Sequence, residues 1–308
     1  MNGWTYKPFS DRHQQRLRQL WASTLAPWDF LISPEFEGLE HIPAKGPVLF
    51  VGNHSLMALL DGVLMVRELA KSRGIVVRSL GYHLHFKTPL WGRLLAFNGA
   101  VDGTRDNCAA MMKAGEFILV YPGGAGEVMK RKGEQHTVRW KNRTGFARMA
   151  IEHGATIVPF STVGADDCFD ILVDNDQYQK TRIGRWLAKV LGAKPEELPP
   201  IIKGMGPTLI PRPEKMYFRF HEPIDTAAYA KHPDIEEAAW ELREQVEVTV
   251  QSGLSALLAR RENDPDRSLR SRVRQRVLGW VQARSGDILR RFAHEADDTP
   301  VARAQQPE

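Results

Sequence analysis

The sequence predicts an α/β fold: a single domain with a mostly parallel central sheet flanked by helices, plus amphipathic terminal helices. Three observations lead to it. Short apolar runs at 48–51 (VLFV), 117–121 (FILVY) and 157–160 (IVPF) have the length and composition of buried strands. Each empties into a polar or glycine-bearing loop, and helical patterns lie between them, the rhythm of crossover-connected parallel strands. The 308 residues, 43% hydrophobic and 26% charged, suffice for one large core.

Residues 1–46 read as an N-terminal helical lead-in. Leu17, Leu20, Trp21, Thr24 and Leu25 recur at helical spacing, with Arg12, Arg16 and Arg18 elsewhere on the surface. Trp4, Trp21 and Trp28 crowd the same span, where their rings can serve either a core stripe or a membrane interface. The α/β domain is placed at 47–260. After its first strand, 63–70 reads as a helix closed by Gly74, and the β-branched Ile75, Val76 and Val77 as a strand. Helices are expected at 89–97, 107–114 and 143–154, the last ended by Gly154. From 170 to 213 the periodicity loosens into a surface excursion, with a basic amphipathic piece at 177–191 around Trp186. Residues 216–220 alternate as a late strand. Leu242, Val246, Val250, Leu254 and Leu257 mark a long helix over 235–260.

Residues 261–295 read as a basic amphipathic C-terminal helix, and 296–308 as a disordered tail. Leu269, Val273, Val277, Val281, Ile288 and Phe292 share one face of that helix, and eight arginines between Arg267 and Arg291 supply the rest. Such a helix suits an anionic membrane surface or packing against the domain.

Bulk chemistry narrows the function. A net charge of +5 suits anionic membranes, nucleic acid or acidic cofactors, and no nucleic-acid-binding motif accompanies it, so no nucleic-acid partner is expected. Two cysteines, Cys108 and Cys168, imply no disulfide framework and a reducing, cytoplasmic setting. No apolar signal core opens the chain, and no run reaches the roughly 18 apolar residues of a spanning helix. Membrane contact is therefore expected to be peripheral, at the inner face.

The stretch PVLFVGNHSLMALLDG, 47–62, carries the leading candidate site. His54 lies just past the carboxyl end of a strand, the edge where open α/β sheets bind ligands, and Asp61 follows with six residues between. A histidine with an acidic partner can act as a general base near neutral pH, or simply cap a turn. A straight helix from 54 to 61 would hold the pair roughly 10 Å apart, so the segment must bulge for them to meet. A second candidate is the glycine turn after the 117–121 strand, Pro122, Gly123, Gly124, Ala125, Gly126 and Glu127, whose amides can hold an anion or an oxyanion. It lacks the endings of a P-loop and of a dinucleotide fingerprint. His83 and His85 lack a third ligand, so no metal centre is predicted, and with Lys87 they form a basic patch at the site mouth.

Taken as an ordered set, Asn53-His54 with Asp61, Gly99 to Arg105, Tyr121 to Glu127 and Ile157 to Pro159 resemble the blocks of the glycerolipid acyltransferases. Two departures stand out. The family dyad usually has four intervening residues, and the usual Pro-Glu-Gly-Thr-Arg block here reads Pro122-Gly123-Gly124-Ala125-Gly126. The latter looks more like the diacylglycerol acyltransferase branch and the plant phytyl-ester relatives.

The resemblance implies transfer of a fatty acyl group from acyl-CoA or acyl carrier protein, used as co-substrate with no further cofactor, to a membrane lipid hydroxyl. His54 would be the base and Asp61 its orienting partner. Gly123 and Gly124 would hold the oxyanion, and Arg105 a substrate phosphate. Glu127 and Arg143 are further candidates, and Arg143 and Lys130 can stand in for the missing block arginine. The glycines tip the acceptor slightly towards a neutral alcohol; the alternative is lysophosphatidate. A lipid hydrolase and a non-enzymatic membrane-surface binder are the other readings; the nucleophile elbow of hydrolases is absent.

Overall fold

The computed structural model describes residues 4–23, 26–58, 60–192 and 198–279. The chain divides into two compact units, Met1–Asn263 and Asp264–Glu308. In the second, residues 269–279 are helical. The rest of the expected basic helix and the 296–308 tail lie outside the described residues.

The first unit opens with α1 (Asp11–Ser23), α2 (Ala26–Ile32) and β1 (Glu35–Glu37). Then come β2 (Val48–Gly52), α3 (Asp61–Arg73), β3 (Val77–Gly81), α4 (Pro89–Phe97), β4 (Ala100–Asp102), α5 (Arg105–Lys113), β5 (Phe117–Val120), α6 (Gly124–Val128), α7 (Gly145–His153) and β6 (Thr156–Val163). The excursion holds β7 (Asp170–Val173), α8 (Asn175–Tyr178), α9 (Arg182–Leu191) and β8 (Ile201–Lys203), after which β9 (Tyr217–Phe220) and α10 (Ile235–Glu262) complete the unit.

The main sheet has seven strands in the order β1-β9-β6-β2-β5-β3-β4, and β7 and β8 form a separate antiparallel pair. β6, β2, β5, β3 and β4 run parallel, while β9 is antiparallel to β6 and β1 is parallel to β9. The sheet is thus mostly parallel, as the alternation predicts. Every residue of β2 is buried, because helices cover both faces of a parallel sheet. On one face α10 lays Leu242, Val246 and Val250 against Leu49, Val51 and Ile157. On the other, Leu64, Met65 and Leu69 of α3 meet Val48, Phe50 and Phe160.

Several boundaries differ from the sequence reading. β3 begins at Val77, where the expected strand ends, because pairing with Phe117 starts there. Residues 35–37, placed by sequence in the lead-in, form an edge strand of the sheet through pairing with β9. The loosened 170–213 stretch contains two strands and two helices.

Candidate active site

Register brings the loops after β2, β5 and β6 to one edge. Val51 faces Val120, and Gly52 faces Phe160. Past Gly52 the Asn53 side chain takes over the ladder: its Nδ2 donates to Thr162 O at 2.9 Å and its Oδ1 accepts from Thr162 N at 2.8 Å. Asn53 thereby fixes where the chain leaves the sheet, and His54 with it.

The bulge that a His54–Asp61 contact requires is present. Met57 and Ala58 adopt left-handed backbone, with φ of 63° and 53°, in a short 3-10 turn at Leu56–Ala58, and a new helix starts at Asp61 itself. Neither residue is a glycine or asparagine, so this geometry carries a strain of order 1–3 kcal/mol per residue. Its product is a 2.8 Å contact between His54 Nδ1 and Asp61 Oδ2.

Asp61 is fully buried. Its carboxylate also accepts from the backbone N–H of Ser55 and of Gly62, each at 2.8 Å. Burial alone would raise its pKa, but the adjacent imidazole and these hydrogen bonds outweigh it and bring the pKa down to about 2. A carboxylate ionised at neutral pH can only accept, so Nδ1 carries the proton and Nε2 presents its lone pair. The His54 side chain retains 13% exposure, which leaves a reactant a way to it.

Tyr121, at the mouth of β5, stacks on the His54 ring with centroids 3.6 Å apart and planes 2° from parallel. Its hydroxyl is buried without a hydrogen-bond partner, and burial, then the charges of Asp61 and Glu127, keep its pKa well above the usual tyrosine range. The hydroxyl lies 3.2 Å from where a Cβ on Gly62 would sit, so a side chain at 62 would displace the ring. Tyr121 and Asn53 are site residues whose roles the sequence did not single out.

A buried ion pair clamps the turn from the far side. Asp166 accepts from Leu56 N at 2.6 Å, from Lys130 Nζ at 2.6 Å and from His136 N at 2.7 Å. Lys130 is fully buried in this pair, so it is a brace rather than the phosphate ligand entertained from sequence. Arg143 is exposed, and its Nη1 donates to Pro122 O at 2.7 Å, which braces the glycine turn.

In that turn Gly124 N donates to Tyr121 O at 3.0 Å, so it is not a free oxyanion donor, contrary to expectation. Among the described residues Gly123 N has no backbone acceptor, and it remains the candidate of the two. A Cβ on Gly123 would lie 2.2 Å from Glu127 Oε2, which explains the residue there. Glu127 is fully buried, and neither carboxylate oxygen reaches hydrogen-bonding geometry. Burial raises its pKa to about 7, against the opposing pull of Lys130, of His54 and of the nearby His54 and Arg139 amides.

Arg105 opens α5, exposed and without an ion pair to Asp102 or Asp106. It follows β4, three strands from β2, so it stands roughly 14 Å to the side along the same edge. His85 accepts from Trp91 Nε1 at 3.3 Å. Burial, then the charge of His54, hold its pKa below the usual histidine range. A Ser161–His221 contact of 2.9 Å lies elsewhere, and Ser161 donates to Val250 O, so it is not a poised nucleophile.

Residues 33–163 match the family model described as Acyltransferase. These residues thus carry an acyltransferase-type domain. The chain is 32% identical over 262 residues to phytyl ester synthase 2, chloroplastic, of Arabidopsis thaliana, covering 79% of this chain and 37% of that protein. It is 29% identical over 177 residues to the DGAT1/2-independent enzyme synthesizing storage lipids of Bos taurus, covering 58% of this chain and 50% of that protein. The chain thus spans about a third to a half of these relatives. The crystal structure of the 1-acyl-sn-glycerophosphate acyltransferase PlsC from Thermotoga maritima is similar with a TM-score of 0.49 and 19% identity, over 82% of this chain and 84% of that one.

Proposed function

We propose that this acyltransferase-family chain moves a fatty acyl group from an acyl thioester to a lipid hydroxyl, with His54 as general base. The observation that carries it is the 2.8 Å His54–Asp61 contact at the carboxyl edge of the sheet, with Asp61 buried and ionised. Nε2 takes the hydroxyl proton as the oxygen attacks the thioester carbonyl. The carbonyl oxygen becomes an oxyanion, for which the Gly123 amide is the candidate donor. Collapse breaks the C–S bond, and the thiolate leaves with the proton that the imidazolium returns, giving an ester and a free thiol. Asp61 stabilises the imidazolium throughout, and the stacked Tyr121 ring fixes its plane. No covalent enzyme intermediate is needed.

The acceptor is a neutral alcohol in this account. A phosphomonoester carries close to two negative charges near pH 7 and calls for a fork of donors. Lys130 is spent on Asp166, and of the remaining exposed arginines Arg143 already gives Nη1 to Pro122 O, so Arg105 is assigned to a phosphate of the thioester donor, coenzyme A or acyl carrier protein. The names of the phytyl ester and storage-lipid relatives support the same preference. Competition between diacylglycerol and lysophosphatidate at equal surface concentration, with one labelled acyl thioester, tests it. Diacylglycerol ester is the expected product; predominant phosphatidate, lost in Arg105→Ala, would overturn the acceptor assignment.

A further inference from the structure

Two helices of the first unit are built inside out. α4 buries Gly92, where a Cβ would lie 2.9 Å from the Trp4 ring, and exposes Leu90, Trp91, Leu94 and Phe97. α9 buries Gly184 and Ala188 and exposes Ile183, Trp186 and Val190, spaced three and four residues apart along one face. Leu90 is 79%, Ile183 73% and Trp186 63% exposed. A helix serving only its own core would turn these large side chains inward and its small ones out. Exposed apolar side chains clustered this way mark an interaction surface.

α4 starts from the edge that holds His54, and the segment bearing α9 leaves from and returns to it. α4 follows the exit of β3, two strands to one side of β2, and Trp91 at its start bonds His85, which senses the charge of His54. The segment bearing α9 leaves from the end of β6, adjoining β2 on the other side. It returns to the start of β9, which is the same edge because β9 runs antiparallel to β6. The turn after β8 in that segment adds exposed Met205, Leu209 and Ile210.

Charge chooses the occupant. Neither α4 (PLWGRLLAF) nor α9 (RIGRWLAKVL) contains an acidic residue. The exposed apolar side chains are interleaved with exposed Arg93, Arg182, Arg185 and Lys189, and Lys87 stands just before α4. Apolar and tryptophan side chains flanked by cations fit the interface of an anionic bilayer.

We propose that the carboxyl edge of the sheet is the membrane-seating face of this protein, held on anionic lipid by α4 and α9 on the two sides of His54. This deepens the lipid-acceptor reading above by naming the surface through which a bilayer lipid reaches the base. Its test does not need turnover.

The test is co-sedimentation of the full chain with vesicles of mixed phosphatidylglycerol and phosphatidylcholine, or of phosphatidylcholine alone, without thioester. The wild-type chain should bind the anionic vesicles more tightly, and less so at raised salt. Leu90→Glu/Leu94→Glu and Ile183→Glu/Trp186→Glu should each weaken binding about tenfold or more, and the combined variant further, with unchanged melting temperature because all four side chains are exposed. His54→Ala should bind as wild type, so failure of the catalytic account leaves this result untouched. Binding by the folded combined variant within about twofold of wild type would overturn the proposal, as would wild-type protein that ignores both vesicles and instead self-associates.

Discussion

Asp61→Asn removes one charge and leaves the shape. In the native site one carboxylate oxygen accepts from both His54 Nδ1–H and Ser55 N–H, and the other accepts from Gly62 N–H. An amide has a single acceptor oxygen, so one side of this set must face an NH2 group. Either His54 and Ser55 lose their acceptor or Gly62 does. Hydrogen bonds to a charged group contribute about 1.5–3 kcal/mol each. Without the carboxylate the imidazole can take the opposite tautomer, placing its lone pair on the buried side. In a serine protease with the same arrangement, that change costs roughly four orders of magnitude in turnover, about 5.4 kcal/mol of barrier.

Stability should change as well. The pKa of Asp61 falls from 3.8 to about 2 on folding, which is of order 2 kcal/mol. Because the folded value is the lower one, this stabilisation is complete above the unfolded value and disappears as pH falls through about 2. Urea denaturation of Asp61→Asn should therefore show a deficit of about 2 kcal/mol at pH 7 that shrinks below pH ~4. Turnover is read as thiol release from the acyl thioester in the presence of a lipid alcohol. A folded Asp61→Asn protein within about tenfold of wild-type turnover would refute the tautomer reasoning.

Glu127 and Lys130 give two further expectations. Unfolded Glu127 ionises near 4.5 whereas the folded group holds its proton to about 7, so it destabilises increasingly as pH rises between those values, by roughly 3 kcal/mol in full. Glu127→Gln should raise the melting temperature relative to wild type more at pH 8 than at pH 4; a difference independent of pH would count against a buried, late-ionising carboxyl. Lys130→Met strands Asp166 in the interior and should cost about 3–5 kcal/mol in urea denaturation. Lys130→Met/Asp166→Asn should recover part of that loss, whereas strict additivity of the two single changes would show that the pair is not coupled.

Much of the fold was legible because parallel strands leave continuous apolar runs, as in VLFV at 48–51 and FILV at 117–120. β1 and β4 were not, since three residues are too few to display a period. His54 was readable from its place after a strand. The contact with Asp61 was not, because it depends on left-handed backbone at Met57 and Ala58, residues that carry no turn signal. The clamp on that turn comes from Asp166, more than a hundred residues away, which local pattern cannot reveal. Amphipathicity showed α9 from sequence, but periodicity does not say which face turns inward. The glycine and alanine on the buried face were the available signal, since small residues let a helix pack closely.

The central claim is that His54 is the base for acyl transfer to a hydroxyl. The most direct measurement is transfer of a labelled acyl group from its thioester to a lipid alcohol by His54→Ala, in protein shown by its melting curve to be folded. The account predicts loss of ester product by at least about 100-fold, the scale of a general base, with vesicle binding unchanged. Ester formation at near wild-type rate in the folded variant would contradict it.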